Sequence, residues 1–201
     1  MNALCISKDV LAEVESVRSS FRRFAPWPHW VVDDFLDPKS FSSMQEHLLL
    51  HSHEFRVLDG DDNKVHYCLL TESTVAQFFY SLDFYHFVRN LCGKDIDLND
   101  KSMIQLRLAN EEVPAFPRHH DFTPLGRSLV VILYVSPNWS PGCKGRLFLH
   151  RSSTAPLDSA VVVEPIANRL IAFYSDKKNW HSVEQVSGWE RLTIISEWIV
   201  K

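Results

Sequence analysis

The sequence has no run of basic residues and no C-x-x-C pair, and its longest apolar run is LVVILYV (129–135). With 21 Lys and Arg against 25 Asp and Glu, its formal net charge of −4 leaves no electrostatic footprint for nucleic acid. The cysteines Cys5, Cys68, Cys92 and Cys143 lie far apart, so neither a zinc ribbon nor a disulfide framework is expected. They read as reduced thiols of a cytoplasmic protein. LVVILYV is too short to span a bilayer as a helix. MNALCISKDV (1–10) turns to charge before an apolar leader can build up, so neither a membrane partner nor a secretion signal is expected.

What is present is enough for a core of its own. Hydrophobic residues make up 45% of the 201 positions, which suits a single domain over 1–201. Within it, 1–100 reads as helical support with an entry strand, and 101–201 as a β-rich core. Val10, Leu11, Val14, Val17, Phe21 and Phe24 recur at helical spacing until Ala25-Pro26-Trp27-Pro28 stops them. HWVVDDF (29–35) reads as a strand. Asp37-Pro38 then supplies an N-cap and a first-turn proline for a helix carrying Phe41, Met44 and Leu48. Residues 51–73 are polar and carry no clear periodicity, with DGDDN (59–63) a turn signal. Thr74 to Leu91 predicts one further helix closed by Gly93.

From Ser102 the pattern becomes short β-rich runs between Pro, Gly, Asn and Ser: SMIQLRLA, SLVVILYVS, GRLFLHR, SAVVVEP, RLIAFYS and ERLTIISEWIV. Strands that follow helices imply an α+β protein whose strands close into a sandwich or barrel.

RHHDFTP (118–124) raises the question of a metal. A strand turns alternate side chains to one face, so His119 and Asp121 can share an ion while His120 points elsewhere. The third ligand must come from a distance, and His181 in NWHSVEQV is the best candidate. Two imidazoles and a carboxylate suit non-haem Fe(II) and dioxygen chemistry, while zinc hydrolysis is the rival use of the same set. Arg191 and Thr193 favour iron: a guanidinium and a hydroxyl on one strand face form a fork for the distant carboxylate of a keto acid.

The ordered set His119-x-Asp121, His181, Arg191-x-Thr193 resembles the 2-oxoglutarate and Fe(II)-dependent dioxygenases, in particular their prolyl-4-hydroxylase-like branch. PHWVVDDFLDP (28–38) is similar to that branch's entry strand and helix, KGRLFLH (144–150) to its G-G-x-L strand, and residues 163–186 to the segment bearing its distal histidine. The resemblance implies a double-stranded β-helix, or jelly roll, with supporting N-terminal helices. It also implies an enzyme that binds Fe(II) and 2-oxoglutarate, with ascorbate as an added reductant. Such enzymes decarboxylate 2-oxoglutarate to succinate with dioxygen and hydroxylate a C–H bond.

On the same resemblance His119, Asp121 and His181 hold the metal, and Arg191, Thr193 and Tyr134 hold the cosubstrate. Arg127, Arg107, His120 and Trp180 are candidates to meet the substrate. The sequence departs from the branch in having Ala109 where a tyrosine is usual and Cys143-Lys144-Gly145 where a double glycine is common. The expected substrate is a small molecule, such as an amino acid or a pathway intermediate. The alternatives are hydroxylation of a peptidyl-proline or another protein residue, and a non-catalytic jelly-roll module that binds a ligand.

Overall fold

The computed structural model describes residues 3–50, 56–57, 66–69, 74–97, 104–122 and 127–201. The turn expected at 59–63 lies outside them. Helix α1 (Lys8–Arg18) buries Val10, Val14 and Val17 and stops earlier than the apolar spacing suggests. Ser16 and Ser20 hydroxyls donate back to the carbonyls of Glu13 and Val17, and the chain continues as a 3-10 turn over Phe21–Arg23. Strand β1 (His29–Val32) follows, shorter than HWVVDDF. Asp37 caps α2 (Pro38–Leu50) as expected: its Oδ1 accepts from the Lys39 and Ser40 amides, both at 3.1 Å.

The helix expected over Thr74–Leu91 is two helices, α3 (Thr74–Phe79) and α4 (Leu82–Cys92). The break is Ser81, whose extended backbone and hydroxyl, which accepts from the Phe84 amide, start α4 afresh. Apolar spacing runs through the break, so only the serine marks it. Gly93 ends α4 in the left-handed region at φ 67°, as expected.

The remaining strands are β2 (Arg56–Val57), β3 (His66–Leu69), β4 (Ile104–Ala109), β5 (Phe116–His119), β6 (Arg127–Tyr134), β7 (Leu147–His150), β8 (Val161–Val163), β9 (Leu170–Tyr174), β10 (Trp180–Val183) and β11 (Arg191–Ile199). They form a seven-stranded sheet, β1-β9-β6-β11-β4-β3-β2, and a four-stranded sheet, β5-β10-β7-β8. All pairs are antiparallel. This is the expected α+β jelly roll.

Alternation along the large sheet divides its side chains between two cores. Leu129, Val131, Leu133, Leu170, Ala172, Leu192, Ile194 and Trp198 pack against the helices. Val130, Tyr134, Ile171 and Phe173 turn the other way and meet Leu147, Leu149 and Val163 of the small sheet. Strands buried on both faces explain why SLVVILYVS and RLIAFYS read as continuous apolar runs. Asn168, at φ 63° just before β9, clips the segment that follows β1: its side chain accepts from the Leu36 amide and donates to the Leu36 carbonyl. No described helix is long and apolar enough to cross a membrane.

Candidate metal centre and cosubstrate pocket

Between the sheets lies a narrow cavity of about 90 Å³. At one end β5 and β10 pair so that His119 stands directly across from His181. Asp121 follows two residues after His119 and lies beyond the end of β5, outside the strand whose alternation was expected to carry it. The ligand atoms of His119, Asp121 and His181 all lie within 4.8 Å of one another. His119 Nε2 is 3.4 Å from one Asp121 oxygen and His181 Nε2 is 3.3 Å from the other.

Hydrogen bonds fix how the rings are used. His119 Nδ1 meets the Pro117 carbonyl at 2.7 Å, and His181 Nδ1 meets that of Asn179 at 3.1 Å. A carbonyl cannot donate, so in each ring Nδ1 is the donor to the backbone and Nε2 is the atom turned to Asp121. Burial pushes the Asp121 carboxyl up, but the two imidazoles outweigh it and hold the carboxyl well below the usual carboxylate range. Two imidazole Nε2 atoms and a carboxylate thus converge on one point, which is the donor set a divalent cation completes in place of protons. Phe116, Phe173 and Trp27 brace the two rings, with centroids 4.3 Å from His119 and 5.2 and 6.4 Å from His181.

Arg191 and Thr193 line the same cavity from β11, and Tyr134 from β6. Arg191 donates to the Gly145 carbonyl at 3.1 Å, while its Nε is buried with no partner. Burial pulls its pKa down, and the like charge of Arg107 pulls the same way. Gly145 sits at φ 73°, and a Cβ there would come within 2.8 Å of Val186, so Cys143-Lys144-Gly145 keeps the one glycine that the approach to Arg191 requires. Burial raises the Tyr134 hydroxyl to about 12, which leaves it a donor at neutral pH.

Of the residues expected to meet a substrate, Arg107 lines the cavity, its Nε donating to Gln105 Oε1 at 3.0 Å. Arg127 opens β6, and its side chain lies outside the described part of the structure. His120 and Trp180 pack on each other, centroids 4.8 Å apart, and neither is among the described lining residues. Ala109 lines the cavity.

Sequence reasoning passed over Glu197, which lines the cavity, and the rim pair Arg146–Glu184, joined by two bonds of 2.8 Å. Glu197 carried a signal: it continues the alternation Arg191, Thr193, Ile195 along one strand. Trp27 carried a weaker one, since in Ala25-Pro26-Trp27-Pro28 only the prolines' stop signal stands out.

Residues 106–200 match the profile of the 2OG-Fe(II) oxygenase superfamily. No curated protein sequence matches the chain. Among solved structures, a Pseudomonas putida prolyl-4-hydroxylase is similar at 17% identity and TM-score 0.72, over 95% of this chain and 99% of that one. A Trichoplax adhaerens prolyl hydroxylase, solved with a hypoxia inducible factor oxygen degradation domain peptide fragment, gives 18% and 0.73 over 96% and 93%. The alpha ketoglutarate dependent epimerase SnoN from nogalamycin biosynthesis gives 16% and 0.66 over 94% and 83%. At these identities the structures speak for the fold. The matched stretch, 106–200, contains all three convergent donors, so the likeness to the 2OG-Fe(II) oxygenase superfamily falls on the part of the chain that carries the candidate metal centre.

Proposed function

We propose that this oxygenase hydroxylates an unactivated C–H bond of a small molecule, an amino acid or a pathway intermediate, with release of succinate and CO2. In this reading His119 Nε2, Asp121 and His181 Nε2 hold the iron. Arg191 takes the far carboxylate of 2-oxoglutarate, with Thr193 and Tyr134 beside it. Bound there, Fe(II) with 2-oxoglutarate and dioxygen supplies the oxidising power for C–H attack.

One observation carries the reading: a single narrow cavity joins the three convergent donors to a guanidinium whose Nε has no protein partner. A partly buried guanidinium whose Nε is sealed from water without a partner is costly, and a bound carboxylate relieves that cost. Arg107 supports a small anionic substrate. It faces the same cavity with no carboxylate within 4.0 Å among the described residues, and Gln105 steadies its guanidinium. The narrowness of the cavity points the same way. Protein hydroxylation is the second reading, favoured by the likeness to a prolyl hydroxylase solved with a peptide.

Succinate formed from 2-oxoglutarate with Fe(II) and ascorbate, before any substrate is known, tests the reading. Turnover above a metal-free control is the expected result, and its absence would leave a ligand-binding module. Stimulation by free amino acids or other small carboxylates supports the small-molecule reading. Stimulation by proline-containing peptides alone would replace it with the second.

A further inference from the structure

Trp27 stands between the metal centre and a second groove. Its ring lies 6.4 Å from that of His181, and it also lines a wider groove of about 910 Å³ to which none of the three convergent donors contributes. Arg22, Lys94, Arg151 and Lys178 border this groove, with Asp176 as the one acid among its described lining residues. Four cations against one carboxylate give a local balance of +3 (4 − 1) on a chain whose net charge is −4. Asp176 is already engaged, its Oδ1 accepting from the Lys178 amide at 2.9 Å to close a turn. No carboxylate among the described residues lies within 4.0 Å of any of the four cations.

Exposed lysines and arginines are ordinary on a protein surface and alone would mean little. The groove has a second feature that they do not explain. Ser175, only 9% exposed, lines it, and its buried hydroxyl has no hydrogen-bond partner in the protein. A buried hydroxyl without a partner costs about 1–3 kcal/mol, so such a group calls for an acceptor from outside the chain. The walls are apolar and flat: Phe24, 39% exposed, with Pro26, Pro28 and the ring of Tyr174.

We propose that this groove binds a small organic molecule carrying a phosphate group, its apolar part lying against Phe24 and the two prolines. A phosphate fits better than a single carboxylate, because its dianionic charge answers several cations and its oxygens can accept from them and from Ser175 together. The site is separate from the metal cavity: the two share no described lining residue, and Trp27 of the groove only packs near His181.

Calorimetric titration of the metal-free full chain with phenyl phosphate tests this, since that probe carries both a flat ring and a dianionic phosphate. Binding is expected, weaker for inorganic phosphate, absent for phenol, and unaffected by 2-oxoglutarate. The double variant Arg151→Glu/Lys178→Glu should weaken it by at least about ten-fold, the size of one charge-assisted hydrogen bond, while still binding Fe(II). Ser175→Ala should weaken it about three-fold or more without lowering Tm, because the hydroxyl makes no bond in the free protein. No heat with phenyl phosphate, equal binding of phenol, or unchanged affinity in the double variant would overturn the proposal. So would a fall in Tm for Ser175→Ala, a test that stands even if the double variant fails to fold.

Discussion

Strand β11 presents two different surfaces to the molecule. Leu192, Ile194 and Trp198 face the helices and are almost wholly buried, while Arg191, Thr193, Ile195 and Glu197 face the cavity between the sheets. The helix side is close-packed hydrocarbon, with Trp198 against Phe84 and its indole N–H donating to Ser196 Oγ. The cavity side holds guanidinium, hydroxyl and carboxylate on the same backbone. A two-residue period thus lets one strand anchor the fold with one face and offer chemistry with the other. Changes on the cavity face should alter binding and spare stability, and changes on the helix face should do the reverse.

The largest effect expected is on the cavity side. His119→Ala or His181→Ala should abolish Fe(II) binding in a calorimetric titration, whereas His120→Ala, whose ring packs on Trp180, should leave it nearly intact. Loss of iron in His120→Ala alone would reverse the assignment. On the helix side, Trp198→Ala should cost about 3–5 kcal/mol in urea unfolding, as large-to-small changes in a packed core do. Its folded fraction should bind Fe(II) as the parent does.

A smaller effect is expected from Arg191→Ala, which should weaken 2-oxoglutarate binding about 100-fold, the worth of a two-bond guanidinium–carboxylate contact. Metal affinity and Tm should hold, since the change removes a buried charge that has no acid partner. If 2-oxoglutarate affinity is unchanged, the anchor moves to Arg107.

The smallest effect belongs to the rim. Arg146 holds the Glu184 carboxyl below its ordinary value of 4.5. A carboxyl depressed in the folded state adds stability above its unfolded pKa and loses it as the pH falls through the folded one. Arg146→Gln should therefore be less stable than the parent at pH 7 by no more than about 1 kcal/mol, because the pair is partly exposed. The gap should close as the pH drops below 4.5. A gap that persists in acid would assign the loss to packing instead.

Much of this division is legible in the sequence because it follows from period two. ERLTIISEWIV announces a strand, and the separation of Arg191 and Thr193 from Leu192 and Ile194 follows at once. The donors were legible for a different reason: His119, Asp121, His181 and Arg191 are chemically distinctive and sit in order along β-rich runs. What resisted reading was local or long-range. Ser81 splits a helix without disturbing the apolar spacing on either side of it. Asp121 lies past the end of β5, where strand periodicity no longer applies. Trp27 braces His181 across a separation of 154 residues (181 − 27), and no short pattern encodes such a contact. Glu197 was readable, had the alternation beyond Arg191 been carried two positions past Ile195.

The central claim is that the donors on β5, just beyond it and on β10 hold iron, while Arg191 on β11 holds the far end of 2-oxoglutarate. A crystal structure with Mn(II) standing in for Fe(II), together with 2-oxoglutarate, tests it most directly. The account predicts metal density bonded to His119 Nε2, Asp121 and His181 Nε2, with the distal carboxylate paired to the Arg191 guanidinium. Metal held by His120, or a 2-oxoglutarate whose distal carboxylate lies away from Arg191, would contradict it.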